Sequence, residues 1–93
     1  MATYHVISWR NIPAAVEASD GNETVTRQLS ERFQMLIDSV AMQLGLHGSE
    51  AYIEQWDRSE AQERSGSAPE VADALAADLE ARFTEIIGTA FRP

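Results

Sequence analysis

The chain has 93 residues, 44% of them hydrophobic, with a net charge of -8, no cysteine, and arginine as its only strong base. That length makes one domain, residues 1–93, near the lower limit for a core built without crosslinks. The negative balance speaks against nucleic acid and anionic membrane surfaces, both of which need facing cations. Without lysine or cysteine there is no Schiff-base lysine, thiolate nucleophile, disulfide or Cys-ligated metal.

Thr3 to Trp9 (TYHVISW) is rich in β-branched and aromatic residues. It reads as a strand with Tyr4, Val6 and Ser8 on one face and His5, Ile7 and Trp9 on the other. Pro13 is expected to break it. Ala14 to Ser19 reads as a second strand and Glu23 to Leu29 as a third. Asp20-Gly21 between them forms a turn, because glycine accepts positive φ without steric cost.

Leu29, Phe33, Leu36, Ile37, Val40 and Leu44 recur at helical spacing. They predict an amphipathic helix over Ser30 to Leu46, ended by Gly45 and Gly48. Met35 and Met42 lie one heptad apart, off the centre of that stripe. Ser49 is placed to cap a short helical turn carrying Tyr52, Ile53 and Trp56. The polar run after Trp56 reads as an edge strand or loop, and Ser65-Gly66-Ser67 interrupts the chain. Pro69 suits the first turn of a last helix. Val71, Leu75, Leu79, Phe83 and Ile86 or Ile87 give that helix its stripe, and Glu70, Asp73, Asp78 and Glu80 its outer face. The order β-β-β-α-β-α predicts an α+β two-layer fold: a small, mostly antiparallel sheet with two amphipathic helices on one face.

No constellation with self-sufficient chemistry stands out. His5 alternates inside a strand and His47 lies between two glycines, so both read as packed or capping residues. The carboxylates follow helix faces and the polar run, not a pair held in a pocket. No catalytic residue, metal ligand or cofactor is assigned, and the chain is not expected to be an enzyme by itself. The N-terminus has no basic region followed by a long apolar one, so no signal peptide is expected. No run approaches a membrane span, and a cytoplasmic location is expected.

The segment Trp9-Arg10-Asn11-Ile12-Pro13 carries most interest. Trp and Arg are common interface anchors, offering an aromatic surface and a planar guanidinium. Arg32 and Asp38 lie six residues apart on the first long helix, too far for a direct i,i+4 pair. Trp56 divides between core and rim.

These residues resemble a known family. Trp9-Arg10-Asn11-Ile12-Pro13-Ala14, Gln28 to Gln34 (QLSERFQ), Ile37-Asp38 with Ala41-Met42, and Tyr52 with Trp56 resemble the small "virulence factor" domain. It also looks like the domain found inside multidomain conserved virulence factor C proteins. The likeness covers about residues 4 to 85. Ser30 stands where many members carry proline. The resemblance implies company with one-carbon enzymes, such as methylenetetrahydrofolate-reductase-like proteins and corrinoid-linked methyltransferases. The resulting expectation is a non-catalytic accessory subunit of such an enzyme. Its partner surface would be drawn from Trp9, Arg10, Pro13, Arg32, Asp38 and Trp56. The alternative is a small-molecule module in which Arg10 and Arg32 hold an anionic ligand. Pairing of two copies through an edge strand stays open.

Overall fold

A computed structural model describes residues 1–46 and 48–90. Its nine elements are β1 (Ala2–Trp9), β2 (Ile12–Ser19), β3 (Thr24–Gln28), α1 (Glu31–Gln43), α2 (Glu50–Glu54), β4 (Trp56–Arg58), β5 (Gln62–Arg64), α3 (Ala68–Ala81) and α4 (Phe83–Ala90). The fold is α+β, with a five-stranded antiparallel sheet in the order β3-β2-β1-β4 and β5 also paired to β1.

Pro13 does not break the first hairpin. Trp9 pairs with Ile12 across a two-residue turn, and Pro13 lies inside β2 opposite Ser8. The register shifts there, because Ile7 pairs with Ala15 and leaves Ala14 as an extra residue. Such a bulge is where a strand tolerates a proline, which has no N–H to donate. The Ala14 carbonyl instead accepts from Leu29 N–H at 2.9 Å, fixing the end of β3.

The polar run forms two short strands rather than one. β4 and β5 share one edge of β1, with Ile7 opposite Arg58 and Tyr4 opposite Gln62. Ser59 interrupts them. Its hydroxyl accepts from Val6 N–H at 2.8 Å while its own N–H donates to the Val6 carbonyl at 2.9 Å. A side chain thus replaces one rung of the ladder.

Two apolar clusters lie between sheet and helices. Ala2, Val16, Ala18, Ala68, Val71 and Ala72 form one, with Tyr4 and Val6 packed against it as the alternation in β1 predicts. Trp9, Ile12, Leu29, Phe33, Leu36, Ile37, Val40, Ala41 and Ala90 form the other. α3 lies against β1, β2 and β3, and α1 against β2.

The end of α1 and the start of α3 follow local chemistry. α1 ends in a Schellman arrangement, with Leu46 N–H donating to Ala41 O at 2.8 Å and Gly45 N–H to Met42 O at 3.2 Å. Gly45 has φ +73°, the left-handed conformation that this cap requires. Leu46 then packs on the second cluster. Ser67 caps α3 in a full capping box with Glu70, and Pro69 stands in the first turn as predicted. Ser49 precedes α2 without a side-chain cap bond, and its hydroxyl donates to Leu46 O instead.

The last helix is two helices. Val71, Leu75, Leu79 and Phe83 are each four residues apart, so an unbroken helix would turn the stripe by roughly 40° per step. By Phe83 it would face well away from the core. The chain breaks at Arg82, and α4 re-aims Phe83, Ile86 and Ala90 at the cluster beneath α1.

Candidate docking surface

The structure separates the six predicted site residues into two sets. Trp9 is fully buried. Its indole Nε1–H donates to the Tyr52 carbonyl at 2.8 Å, and the two rings lie 5.4 Å apart. Pro13 is buried in β2. Neither offers side-chain surface to a partner in this fold. Trp9 instead fixes α2 against the hairpin.

Arg32 is a clasp. Its Nε and Nη2 donate to Glu80 Oε1 at 3.2 and 3.0 Å, and Nη2 also donates to the Glu80 carbonyl at 2.7 Å. Its guanidinium sits over the Phe83 ring, 4.3 Å from the centroid. Glu80 further accepts from Ser30 N–H at 2.6 Å and Ser30 Oγ at 2.7 Å. Partial burial alone would raise the Glu80 pKa, but these hydrogen bonds and the Arg32 charge outweigh it and the net shift is downward. Most of the donors an anionic ligand would need from Arg32 are therefore engaged. The Arg10 backbone is anchored elsewhere, at the end of α2, and its guanidinium takes no part in this clasp.

The accessible residues gather around α2. Arg10 is exposed in the β1–β2 turn, held at φ +56°, with its N–H donating to Gln55 O at 3.0 Å. Its guanidinium makes no hydrogen bond or ion pair with the described residues. Ile53 on α2 is 69% exposed. Trp56 follows at once, half-buried and edge-on to Tyr52 with ring centroids 6.4 Å apart. Ile7, Trp56, Asp57 and Arg58 line an open recess of about 430 Å³. Ile7 and Arg58 are cross-strand neighbours and Trp56 lies two residues from Arg58, so these three share one sheet face. Arg58 also pairs with Glu17 on that face. Asp38, on α1, is half-buried and accepts from Gln34 Nε2 at 3.0 Å.

His5 behaves as a strand residue. Its Nδ1 lies 2.9 Å from the Ser59 carbonyl, so Nδ1 carries the proton and donates. His47 lies outside the described residues. Among the described residues, no three His, Asp or Glu side chains converge as metal ligands, and no helix is long and apolar enough to cross a membrane.

The acidic residues were the least legible group. Asp73 pairs with Arg27 at 2.7 Å and Asp78 with Arg64 at 3.5 Å, tying α3 to β3 and β5. Asp20 does more than make a turn. Its carboxylate accepts from Ala68 N–H at 2.8 Å, the first residue of α3, and from Asn22 and Glu23 N–H at 2.9 and 3.0 Å. These backbone bonds, Ala68 foremost, lower its pKa, and bonds from Ser67 backbone and side chain lower that of Glu70. Nothing in the local pattern distinguishes a carboxylate that bridges elements from one that faces water.

No curated protein and no solved structure is significantly similar to the chain. The family comparison is positive over most of it. Residues 7–86, which hold the Trp9–Pro13 hairpin, the Arg32 clasp and the α2 corner, match the family described as virulence factor, and the chain belongs to that family.

Proposed function

We propose that this domain is a non-catalytic docking subunit of a larger cytoplasmic enzyme, with enzymes of folate- or corrinoid-dependent methyl transfer as its first candidate partners. The observation that carries the reading is the corner built on α2. There an arginine in a left-handed turn position is bonded through its backbone to the end of α2, a helix that carries an exposed isoleucine and is followed closely by a half-buried tryptophan. A non-glycine residue at positive φ costs about 1–2 kcal/mol, and such outliers concentrate at functional positions. Arg and Trp are also the residue types that dominate interface energetics. The one-carbon assignment rests on the company implied by the family resemblance.

The test is native purification of the tagged protein from its source cells, with mass-spectrometric identification of what comes with it. The reading expects one large enzyme in stoichiometric amount, lost with Arg10→Ala while circular dichroism stays unchanged. A protein that elutes alone at physiological salt overturns it.

A further inference from the structure

The outer face of α1 carries a second pattern, separate from the α2 corner. Met35 and Met42 are 62% and 65% exposed, on the side of the helix opposite the buried Phe33, Ile37 and Val40. Seven residues apart, they lie roughly 20° from each other around the axis and about 10 Å apart along it, so they form one row. Glu31 and Asp38 form a second row with the same spacing beside the first. Between residues 31 and 57 there are five carboxylates and one arginine, Arg32, whose charge is already paired with Glu80. An apolar row flanked by an acidic row, on a chain of net charge -8, is the complement of a helix with an apolar stripe and a basic flank. Methionine suits such a contact because its flexible thioether adapts to the side chain it meets.

We infer that the Met35–Met42 face of α1 seats a basic amphipathic helix of a partner protein. The inference rests on the docking reading and specifies the chemistry of the partner. A second copy of this chain is a poor occupant, since it would bring an equal negative charge to the same face. An anionic membrane is disfavoured for the same reason.

The test uses the whole protein labelled at its methionine methyls, of which there are three. It is titrated with a synthetic leucine–lysine amphipathic helix, and separately with a leucine–glutamate peptide of identical apolar spacing. The expected result is saturable shifts of the Met35 and Met42 methyls with the lysine peptide only. Affinity should fall about two- to fivefold in Glu31→Gln, the range of a surface ion pair, and more than tenfold in the double variant Met35→Gln, Met42→Gln. Equal response to both peptides, or shifts confined to Met1, overturns the inference. So does a change in the oligomeric state of the protein alone in the double variant, which would make a second copy the occupant. Native co-purification separates the two levels. A partner retained by the double variant refutes the α1 seat and leaves the docking reading standing, whereas no partner with the wild type refutes the docking reading itself.

Discussion

At the scale of single residues, Arg10 presents a conflict between backbone and side chain. Its φ of +56° favours glycine, yet the position carries a long cation that reaches solvent. Arg10→Gly should therefore stabilise the isolated domain by about 0.5–1 kcal/mol, the relief of left-handed strain less the added freedom of the unfolded chain. For a domain of this length that raises Tm by a few degrees, on the scale of about 4–8 °C per kcal/mol. A scanning calorimetry trace checks it. A drop in Tm would mean that the guanidinium makes a stabilising contact which outweighs the strain. A rise together with loss of the co-purifying partner would show stability given up for binding. Trp9 and Trp56 make the opposite lesson. Both fit the same family pattern and the same residue type, but one is sealed in the core as a hydrogen-bond donor to Tyr52 and the other lines an open recess.

At the scale of elements, the clasp between α1 and α3 concentrates several bonds on one carboxylate. Glu80 accepts from Ser30 and Arg32, and it holds Arg32 over Phe83. Glu80→Ala removes the carboxylate that both partners use and leaves Arg32 with only the backbone carbonyl of that position and the Phe83 ring. Charge-assisted hydrogen bonds are worth about 1.5–3 kcal/mol when shielded, and at 30% side-chain exposure solvent screening reduces this. The expected loss is about 1–2 kcal/mol, read as a lower urea midpoint with an unchanged slope. The periodic parts of these elements were legible in the residues. The α1 stripe, the glycine stop at Gly45, the Asp20-Gly21 turn and the Pro69 start all follow from local preferences. What was not legible depends on distant partners. Pro13 is tolerated because β2 bulges against β1, Ser59 splits the edge strand because it bonds to Val6, and the break at Arg82 comes from the angular drift of a four-residue repeat. The candidate site was readable in part: Arg10 and Trp56 are accessible, while Trp9, Pro13 and Arg32 acquired structural duties that only the tertiary fold assigns.

At the scale of the whole molecule, the excess of carboxylates sets the acid response. Three of them, Asp20, Glu70 and Glu80, have folded pKa values below their ordinary 3.8 and 4.5 because backbone and side-chain donors favour the charged form. Asp20 ties the β2–β3 turn to the start of α3, Glu70 closes the capping box, and Glu80 joins α3 to α1. A carboxyl with a depressed folded pKa stabilises fully above its unfolded value, and that contribution disappears as pH falls through the folded one. The loss should begin as pH drops below the ordinary carboxylate range and continue further into acid. Between neutrality and that range a different effect dominates. As carboxylates without specific partners take up protons, net charge shrinks and self-repulsion eases, which slightly favours the compact state. Stability should therefore be level or rise gently from pH 7 to about 5 and then fall steeply, the order expected when paired carboxylates are the last to protonate. The double variant Asp20→Asn, Glu80→Gln should start with a lower Tm at pH 7 and show a shallower fall below pH 4, because two of the depressed groups no longer titrate. Thermal melts across this range decide it. Parallel acid limbs in the two proteins would show that general charge repulsion governs acid unfolding and that the ties between helices and sheet contribute little to it.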